Sequence, residues 1–555
     1  MYIRLDIKTI RTLEKKNKIN NSADRVFARF AFFGGNMNAT MLISTILIIA
    51  FFTVMIIIGV KSKSSATDVN GFVLGSRNVG PWLSAFAYGT SYFSAVIFVG
   101  YAGQFGWNFG IASTWIGLGN AFIGSLLAWL ILGRRTRIMT NHLGSKTMPD
   151  FFGQRFKSEK LTLIASVITF LFLIPYTASL YNGLSRLFSM AFDGIDYSVC
   201  VIIMAVLTGT YVIIGGYMAA AWNDFIQGML MLGGIVAVIG AVLKDNGGLM
   251  MAMKGLAEGP NGGWEYASFF GPQPLFLLFV VILTSLGTWG LPQMVGKFYA
   301  IKNEDSVKKG TVISTFFAII VAGGCYFLGG FGRLYNVDVD ALGFDAVIPE
   351  MLSTLSPLII GIVIVLVLSA SMSTLSSLVL TSSSTITLDF IAPLKKGELT
   401  EKKKMLIMRF FILVFIVISA VIAIRQATNK SIFIAQMMGV SWGALAGSFL
   451  APFLYGLYSK RISKASVVFS FIWGTVLELV QLCISLGYID VSGSQLLSFV
   501  FKNSIYSGSI AMLGGLILVP IVSMLTKNTC PEGVEEMFEC YNANTTVDIT
   551  ANLGK

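Results

Sequence analysis

Residues 369–387 read SASMSTLSSLVLTSSSTIT, and twelve of these 19 residues are Ser or Thr. The segment continues a strongly apolar run, so its hydroxyls fall inside what is otherwise a membrane-spanning helix. One or two hydroxyls commonly bond back to the carbonyl one turn earlier, but twelve leave too little apolar surface to face lipid. Since polar groups in hydrocarbon must find partners within the protein, the segment predicts a helix that lines a polar site.

The whole chain has the composition of a membrane protein. Of its 555 residues, 55% are hydrophobic and 12% are charged, and the mean hydropathy is +0.75. A soluble domain carries about 25% charged residues. The apolar residues also fall into runs of about 20, the length at which a helix crosses the hydrocarbon core. We therefore expect an all-α membrane protein.

Thirteen transmembrane helices are predicted, with a very short link between the fifth and the sixth at 217–223. They lie at residues 40–60, 81–107, 111–133, 161–191, 197–217, 224–243, 275–300, 310–334, 357–388, 404–424, 432–458, 465–488 and 507–526. We expect no soluble domain after the last of them, because the tail from Lys527 is short and polar.

The distribution of Lys and Arg predicts the orientation. If the N-terminus lies outside, the inner loops and the C-terminal tail carry most of the basic residues, which satisfies the positive-inside rule. The richest inner loop holds Arg134, Arg135, Arg137, Lys146, Arg155, Lys157 and Lys160. The net charge of +12 is thus a feature of topology and not of nucleic-acid binding. Residues 1–36 conflict with this orientation because they are strongly basic, and we expect them to be an extension outside the working protein.

The second span is interrupted in mid-membrane by Gly89, Thr90, Ser91 and Ser94. Non-helical backbone is tolerated at that depth only where it lines a cavity, and secondary transporters use broken helices to expose carbonyls to ions and substrate. Gly-rich packing against a neighbouring helix is the alternative. The seventh span is interrupted again around Gly290, and two interrupted spans five helices apart are typical of an inverted repeat of five plus five helices.

Asp224 is a second polar outlier, in the sixth span. A carboxylate well inside a span costs about 2.5–3.5 kcal/mol on insertion scales. Two interpretations are open: an acid at a helix start near the inner interface, stabilised by the helix dipole, or the counter-charge of a cation. The second gains weight if Asp224 faces the hydroxyls of 369–387.

Spacing within 369–387 favours a cation site. Ser373, Ser376 and Ser377 stand at i, i+3 and i+4 and therefore share one helix face. Thr374 lies beside Ser373, one turn from Ala370. Several hydroxyls with a freed carbonyl nearby suit a hard monovalent cation, whereas a divalent ion would take carboxylate ligands.

Three segments together resemble the sodium:solute symporter family, over roughly residues 40–460. They are IGGYMAAAWNDFIQ within 213–227, SASMSTLSS followed by TSSSTITLDF, and GLPQMVGKFYA at the end of the seventh span. The similarity is to the bacterial branch that holds proline, pantothenate and sialic-acid carriers. It implies a leucine-transporter-type core of two inverted five-helix repeats.

That resemblance divides the chain into six parts. They are the N-terminal extension 1–36, a first transmembrane helix 37–60, the first repeat 81–243, the second repeat 275–458, two peripheral helices 465–526 and a cytoplasmic tail 527–555.

The resemblance also implies that sodium is the coupling ion, bound at two sites. The first site would use the carbonyls of Thr90, Phe93 and Ala370 and the hydroxyls of Ser373 and Thr374. The second would use the carboxylate of Asp224 and the hydroxyls of Ser373, Ser376 and Ser377.

Substrate-lining residues follow from the same resemblance, namely Ser91, Ser94, Tyr176, Thr284, Thr288, Trp289 and Gln293. Proline carriers place Trp and Tyr eight and four residues before the proline that matches Pro292. Here those positions hold Thr284 and Thr288, and Trp289 is out of register. This difference argues against proline and indicates a more polar cavity, suited to a hydroxylated or carboxylated solute.

We therefore predict a sodium-coupled secondary active symporter, multi-pass in the plasma membrane of a bacterium, with its C-terminus in the cytoplasm. Its solute would be a small organic molecule such as an amino acid, sialic acid, carboxylate or vitamin. The alternatives are a proton-coupled carrier with Asp224 as the proton site and a sodium-dependent sugar carrier. An enzyme is disfavoured because His142 is the single histidine and no metal-ligand pattern occurs. No cofactor, nucleic acid or obligatory protein partner is expected.

Overall fold

The computed structural model describes residues 39–191, 196–395, 399–429 and 434–543, and its regular secondary structure within them is helical. The predicted extension 1–36 and the end of the predicted tail lie outside the described residues. Among these residues one parallel bridge is found, between Val79 and Ile301. The all-α prediction is confirmed for the part of the chain that the structure describes.

The helices of the first half begin at Ala39. They are α1 (Ala39–Lys61), α2 (Val69–Leu74), α3 (Pro81–Tyr92), α4 (Ala102–Phe109), α5 (Thr114–Gly119), α6 (Arg134–His142), α7 (Met148–Phe156), α8 (Glu159–Ala191), α9 (Tyr197–Asp245), α10 (Leu249–Glu258) and α11 (Trp264–Ala267). Segments of π-helix connect several of them, at Val96–Tyr101, Asn120–Leu127 and Trp129–Gly133.

The second half continues in the same way. Its helices are α12 (Pro274–Leu286), α13 (Pro292–Tyr299), α14 (Glu304–Ala318), α15 (Gly324–Gly329), α16 (Val339–Leu342), α17 (Val347–Ser353), α18 (Pro357–Thr385), α19 (Ala392–Leu394), α20 (Glu401–Asn429), α21 (Ile434–Tyr458), α22 (Lys464–Ser485), α23 (Gln495–Val500), α24 (Ser504–Leu525) and α25 (Val534–Ala543). Two π-helical segments lie at Ile319–Gly323 and Ile386–Ile391.

Ten helical stretches among the described residues are long and apolar enough to cross a membrane, or eleven if the bent pair α12 and α13 forms one span. Two of these stretches, Val96–His142 and Tyr197–Asp245, contain 47 and 49 residues. A 49-residue helix would be about 74 Å long, more than twice the thickness of the hydrocarbon core. The structure therefore supports a polytopic membrane protein, while the number of thirteen spans stays a prediction.

A glycine divides the 49-residue helix α9 into two segments. Gly216 has φ 55° and ψ −143°, a conformation that side chains other than glycine rarely adopt, and the helix changes direction there. The link predicted at 217–223 is wrong, because these residues are helical and the break is at Gly216. Consequently Asp224 lies two turns beyond the break and not at the start of a helix.

Helix α18 lies at the centre of the bundle. Every residue from Val363 to Leu380 is buried, and the helix packs against α1, α3, α8, α9 and α20. A membrane helix that is buried on all sides can carry polar groups, because they meet protein and not lipid. The predicted internal position of the hydroxyl-rich segment is confirmed.

The last described helix, α25, packs on α6. The Tyr541 hydroxyl donates to the Leu457 carbonyl at 3.2 Å, and the Arg135 guanidinium stands 4.6 Å from the centre of the Tyr541 ring. The C-terminal tail and the basic loop around Arg135 thus share one end of the bundle.

Close approach of two backbones fixes the position of α4, the half of the broken second span that follows the break. A Cβ at Gly106 in α4 would lie 2.0 Å from the carbonyl oxygen of Gly329 at the end of α15. Small residues allow membrane helices to approach this closely, so that many van der Waals contacts form along both backbones.

We expect Gly106→Ala to lower the apparent melting temperature of the purified protein by several degrees, since overpacking costs about 1–3 kcal/mol. Differential scanning fluorimetry in detergent measures this shift. Gly240→Ala is the matched control, because Gly240 is exposed on α9 and its Cβ would meet nothing within 4 Å. Equal melting temperatures for both variants would contradict the close contact.

Candidate ion and solute site

The break in the second span releases backbone carbonyls in the middle of the bundle. Helix α3 ends at Tyr92, and Phe93 is extended with φ −101° and ψ 102°. The last carbonyls of a helix lack intrahelical partners. Those of Thr90 and Ser91 are met by hydroxyls of α18, so the interruption predicted from the sequence is confirmed and opens toward the hydroxyl-rich helix.

Ser373 and Thr374 supply these hydroxyls. Ser373 Oγ lies 3.0 Å from the Thr90 carbonyl and 3.1 Å from the Ala370 carbonyl. Thr374 Oγ1 lies 3.3 Å and 3.0 Å from the same two carbonyls. Four of the five predicted ligands of the first sodium site therefore meet in one place. The fifth, Phe93, is buried at the break itself, and the part of its carbonyl stays a prediction.

Oxygen lone pairs outnumber protons at this meeting point. Each hydroxyl has one proton to donate, yet Ser373 Oγ and Thr374 Oγ1 each lie within bonding distance of three carbonyl oxygens. The side chains of Thr90, Ser373 and Thr374 are fully buried. A dry cluster of oxygens with too few protons is suited to a monovalent cation, as at the unwound helices of other transporters.

The four residues of the predicted second site divide into two pairs. Ser376 Oγ donates to the Ser373 carbonyl at 2.8 Å, beside the first site. Asp224 and Ser377 instead face Lys297, whose Nζ lies 3.5 Å from Asp224 Oδ2 and 2.8 Å from Ser377 Oγ. The lysine belongs to α13, the half of the broken seventh span that follows Gly290.

Lys297 changes the electrostatics expected around Asp224. Two unit cations about 4 Å apart repel by about 4 kcal/mol at an effective dielectric constant of about 20. Sodium on Asp224 would be opposed by that repulsion as long as the lysine stays where it is. The helix-start interpretation of Asp224 is disfavoured as well, because the helix dipole acts mainly within the first turn and Asp224 lies beyond it.

Sequence reasoning missed Lys297, although it stands inside the quoted motif GLPQMVGKFYA. The available signal was a basic residue within a predicted span, which is as informative as the acid at Asp224. That the two charges face each other depends on how α9 and α13 pack.

Ser94 and Tyr176, two of the predicted solute residues, come together just beyond the break. Trp442 of α21, which sequence reasoning did not select, joins them, with its ring 5.9 Å from that of Tyr176. None of their three polar groups forms a hydrogen bond of ordinary geometry with a described residue. Tyr92 and Phe93, stacked at 4.3 Å, supply aromatic surface beside them.

The polar side-chain groups of the other predicted solute residues are directed elsewhere. Thr284 Oγ1 bonds to the Val280 carbonyl one turn earlier. Thr288 Oγ1 and Trp289 Nε1 donate to backbone carbonyls of the third span at 3.2 and 3.1 Å. Ser91 Oγ lies 2.7 Å from Ser377 Oγ, and Gln293 lines a separate pocket. Their contact with solute stays a prediction.

That pocket opens from the end of the bundle that carries the basic loop. Its volume is about 40 Å³, enough for about three water molecules. It reaches from Lys146 and Thr147 to Lys297 and Ser377, and later hydroxyls of the 369–387 segment line it, namely Thr381, Ser384 and Thr385. The ion pair of Asp224 and Lys297 therefore lies between the predicted first sodium site and a polar pocket at one end of the bundle.

Comparison with known proteins now identifies the family. The sequence pattern that defines the sodium:solute symporter family matches residues 72–474, most of the chain. The chain belongs to that family. It is thus a sodium-coupled symporter and not an enzyme.

Two relatives with assigned activities resemble the symporter over most of its length. It is 28% identical over 488 residues to the osmoregulated proline transporter OpuE of Bacillus subtilis, covering 86% of this chain and 94% of the relative. It is 29% identical over 449 residues to a sodium/proline symporter of Staphylococcus aureus, covering 78% and 85%.

Among solved structures, the fold resembles that of a Na⁺-coupled sialic acid symporter in a substrate-bound outward-open state. The TM-score is 0.67 at 19% sequence identity, and the match covers 87% of this chain and 98% of that one. At this identity the likeness concerns the fold.

We expect Ser373→Ala and Thr374→Ala each to raise the sodium concentration for half-maximal transport about tenfold. Each change removes one oxygen ligand, and 1.4 kcal/mol of lost binding corresponds to a factor of ten. The measurement is uptake as a function of sodium concentration. Ser371→Ala is the control on the same helix, because its Oγ bonds back to the Val367 carbonyl at 2.7 Å. Equal effects of all three changes would contradict sodium binding by Ser373 and Thr374 and would indicate that their hydroxyls serve only in packing.

Proposed function

We propose that the symporter imports a small carboxylated solute together with sodium by alternating access. The observation that carries this proposal is the convergence of the Thr90 carbonyl, at the break in the second span, with the hydroxyls of Ser373 and Thr374. Sodium held among these groups would join α3 to α18. Ion binding would then control the position of the broken span that also borders the solute residues.

The proposed architecture has thirteen transmembrane helices with an outside N-terminus and a cytoplasmic C-terminus in the plasma membrane. Its core consists of two inverted repeats, 81–243 and 275–458, and 465–526 adds two peripheral helices. Support comes from the two breaks, which occur in the first helix of each repeat, at Phe93 and Gly290. The shared end of the basic loop and α25 supports the orientation.

The chemistry of the group Ser94, Tyr176 and Trp442 supports a carboxylated solute. Two hydroxyls and an indole N–H can all donate; they face one another without a hydrogen bond of ordinary geometry, which is costly for buried donors. A carboxylate accepts several hydrogen bonds at once and would satisfy them, while the rings of Tyr92 and Phe93 would cover an apolar part of the solute. Amino acids, sialic acids and monocarboxylates fit this description, and the names of the two proline-transporting relatives favour the amino-acid class.

In the proposed cycle sodium binds first and orders the break, and the solute then completes the contacts that close the outer side. Opening of the inner side would release sodium through the polar pocket beside Ser384 and Lys146. Each sodium that crosses contributes about 2.3 kcal/mol per 100 mV of membrane potential. The second sodium site, predicted at Asp224, Ser373, Ser376 and Ser377, stays a prediction, and the ammonium of Lys297 lies beside its carboxylate.

The driving ion can be tested in proteoliposomes with imposed gradients and a panel of radiolabelled amino acids, sialic acids, monocarboxylates, vitamins and sugars. We expect saturable uptake of a carboxylated solute under an inward sodium gradient, stimulated by an inside-negative potential. A proton gradient in sodium-free buffer should give none. Uptake driven by protons alone would favour the proton-coupled carrier, and uptake of sugars alone would favour the sugar carrier.

For the solute that this panel identifies, we expect Tyr176→Phe and Trp442→Phe to raise KM by tenfold or more. The loss of a hydrogen bond to a charged group costs about 1.5–3 kcal/mol. Kinetics at saturating sodium measure the change. Tyr455→Phe is the control, because the Tyr455 hydroxyl of α21 donates to the Leu516 carbonyl of α24 at 2.7 Å. An unchanged KM in both cavity variants would contradict the proposed contacts.

A further inference from the structure

Lys297 is a buried cation at the junction of four spans. It extends from α13, and its side chain is 6% exposed. Its ammonium contacts Ser377 Oγ of α18 at 2.8 Å and Asp224 Oδ2 of α9 at 3.5 Å, and it lies 5.4 Å from the centre of the Tyr217 ring. Ser377 Oγ in turn lies 2.7 Å from Ser91 Oγ of α3.

Asp224 depends on this lysine for its charge balance. Its side chain is fully buried, and neither carboxylate oxygen has a hydrogen-bond partner within normal distance among the described residues. A buried carboxylate requires a cation or a set of donors close to it. Within the part of the chain that the structure describes, the ion pair recorded for Asp224 is the one with Lys297.

The balance of charge leaves room for one cation only. Asp224 contributes one negative charge, and the ammonium of Lys297 cancels it. A sodium ion added beside them would leave a net positive charge in a buried place, next to a like charge. Sodium and the ammonium are therefore mutually exclusive on this carboxylate.

The neighbourhood also links this pair to the first cation site. Ser91, which shares a hydrogen bond with Ser377, follows Thr90 directly in the chain, and the Thr90 carbonyl faces Ser373. An ammonium on Ser377 thus helps to hold the end of α3 beside α18, the contact that a second sodium would otherwise make.

We propose that the ammonium of Lys297 is the built-in cation of the second site, so that the protein binds and transports one sodium ion per cycle. The proposal rests on the proposed sodium symport. It assigns Lys297 as the residue that sets the ratio of sodium to solute. Removing its charge would open the Asp224 site to a second sodium ion.

The test counts sodium ions on the purified full-length protein in detergent, by equilibrium binding of ²²Na⁺. We expect about one ion on the wild-type protein and about two on Lys297→Met, which keeps the length of the side chain without its charge. Lys297→Arg, which keeps the charge, should bind about one. The double variant Lys297→Met with Asp224→Asn should return the count to about one, because the carboxylate that would hold the added ion is gone.

A further double variant identifies which ion is the added one. Lys297→Met with Thr374→Ala should lower the affinity for one of the two sodium ions, while the other stays bound at the Asp224 site. Each sample is first checked for a single peak in size-exclusion chromatography, and Lys297→Gln replaces Lys297→Met if the latter does not pass.

Two results would overturn the proposal. One is a wild-type protein that binds two sodium ions, since the lysine and the second ion would then coexist. The other is a folded, charge-free variant at Lys297 that still binds one. A wild-type protein that binds no sodium would instead contradict the proposed sodium symport, so the two failures are distinguishable.

Discussion

The contact between the Thr90 carbonyl and the hydroxyls of Ser373 and Thr374 determines how the rest of the structure is arranged. A helix that stops in the middle of a membrane must find donors for its last carbonyls, because no water is available there. The hydroxyl-rich helix α18 supplies these donors, and for that reason it occupies the centre of the bundle. The same polar groups that make the break tolerable also suit a cation, since their lone pairs outnumber their protons.

The charged pair of Asp224 and Lys297 extends this arrangement toward the polar pocket that Lys146 and Ser384 line. Its two charges come from different broken elements, α9 beyond Gly216 and α13 beyond Gly290. Through Ser377 the ammonium contacts the same helix that carries Ser373 and Thr374. Movement of either broken span would thus alter the surroundings of the cation and of the pocket together, which is the coupling that alternating access requires.

Particular residues show how far sequence reasoning extends. The breaks at Phe93 and Gly290 could be predicted, because clustered glycine and hydroxyl residues are unfavourable in the middle of an unbroken helix that faces lipid. The turn at Gly216 was misplaced by several residues, since the small residues that follow it also fit a link. Trp442 was not selected because an aromatic residue in an apolar helix is ordinary in itself. Its position beside Tyr176 makes it informative, and that position depends on the packing of α21.

By itself the sequence determined the membrane class, the two interrupted spans, the hydroxyl face of α18 and the family motifs. Each of these follows from residue type and spacing along one helix, which are local properties. Only the tertiary structure decided which groups meet, because the partners of Thr90 and Asp224 lie 283 and 73 positions away in the chain. Long-range pairing of this kind depends on how the helices cross, and no local pattern specifies the crossing. From the sequence alone, sodium is the cation expected beside Asp224. The packing of α13 places the ammonium of Lys297 there instead.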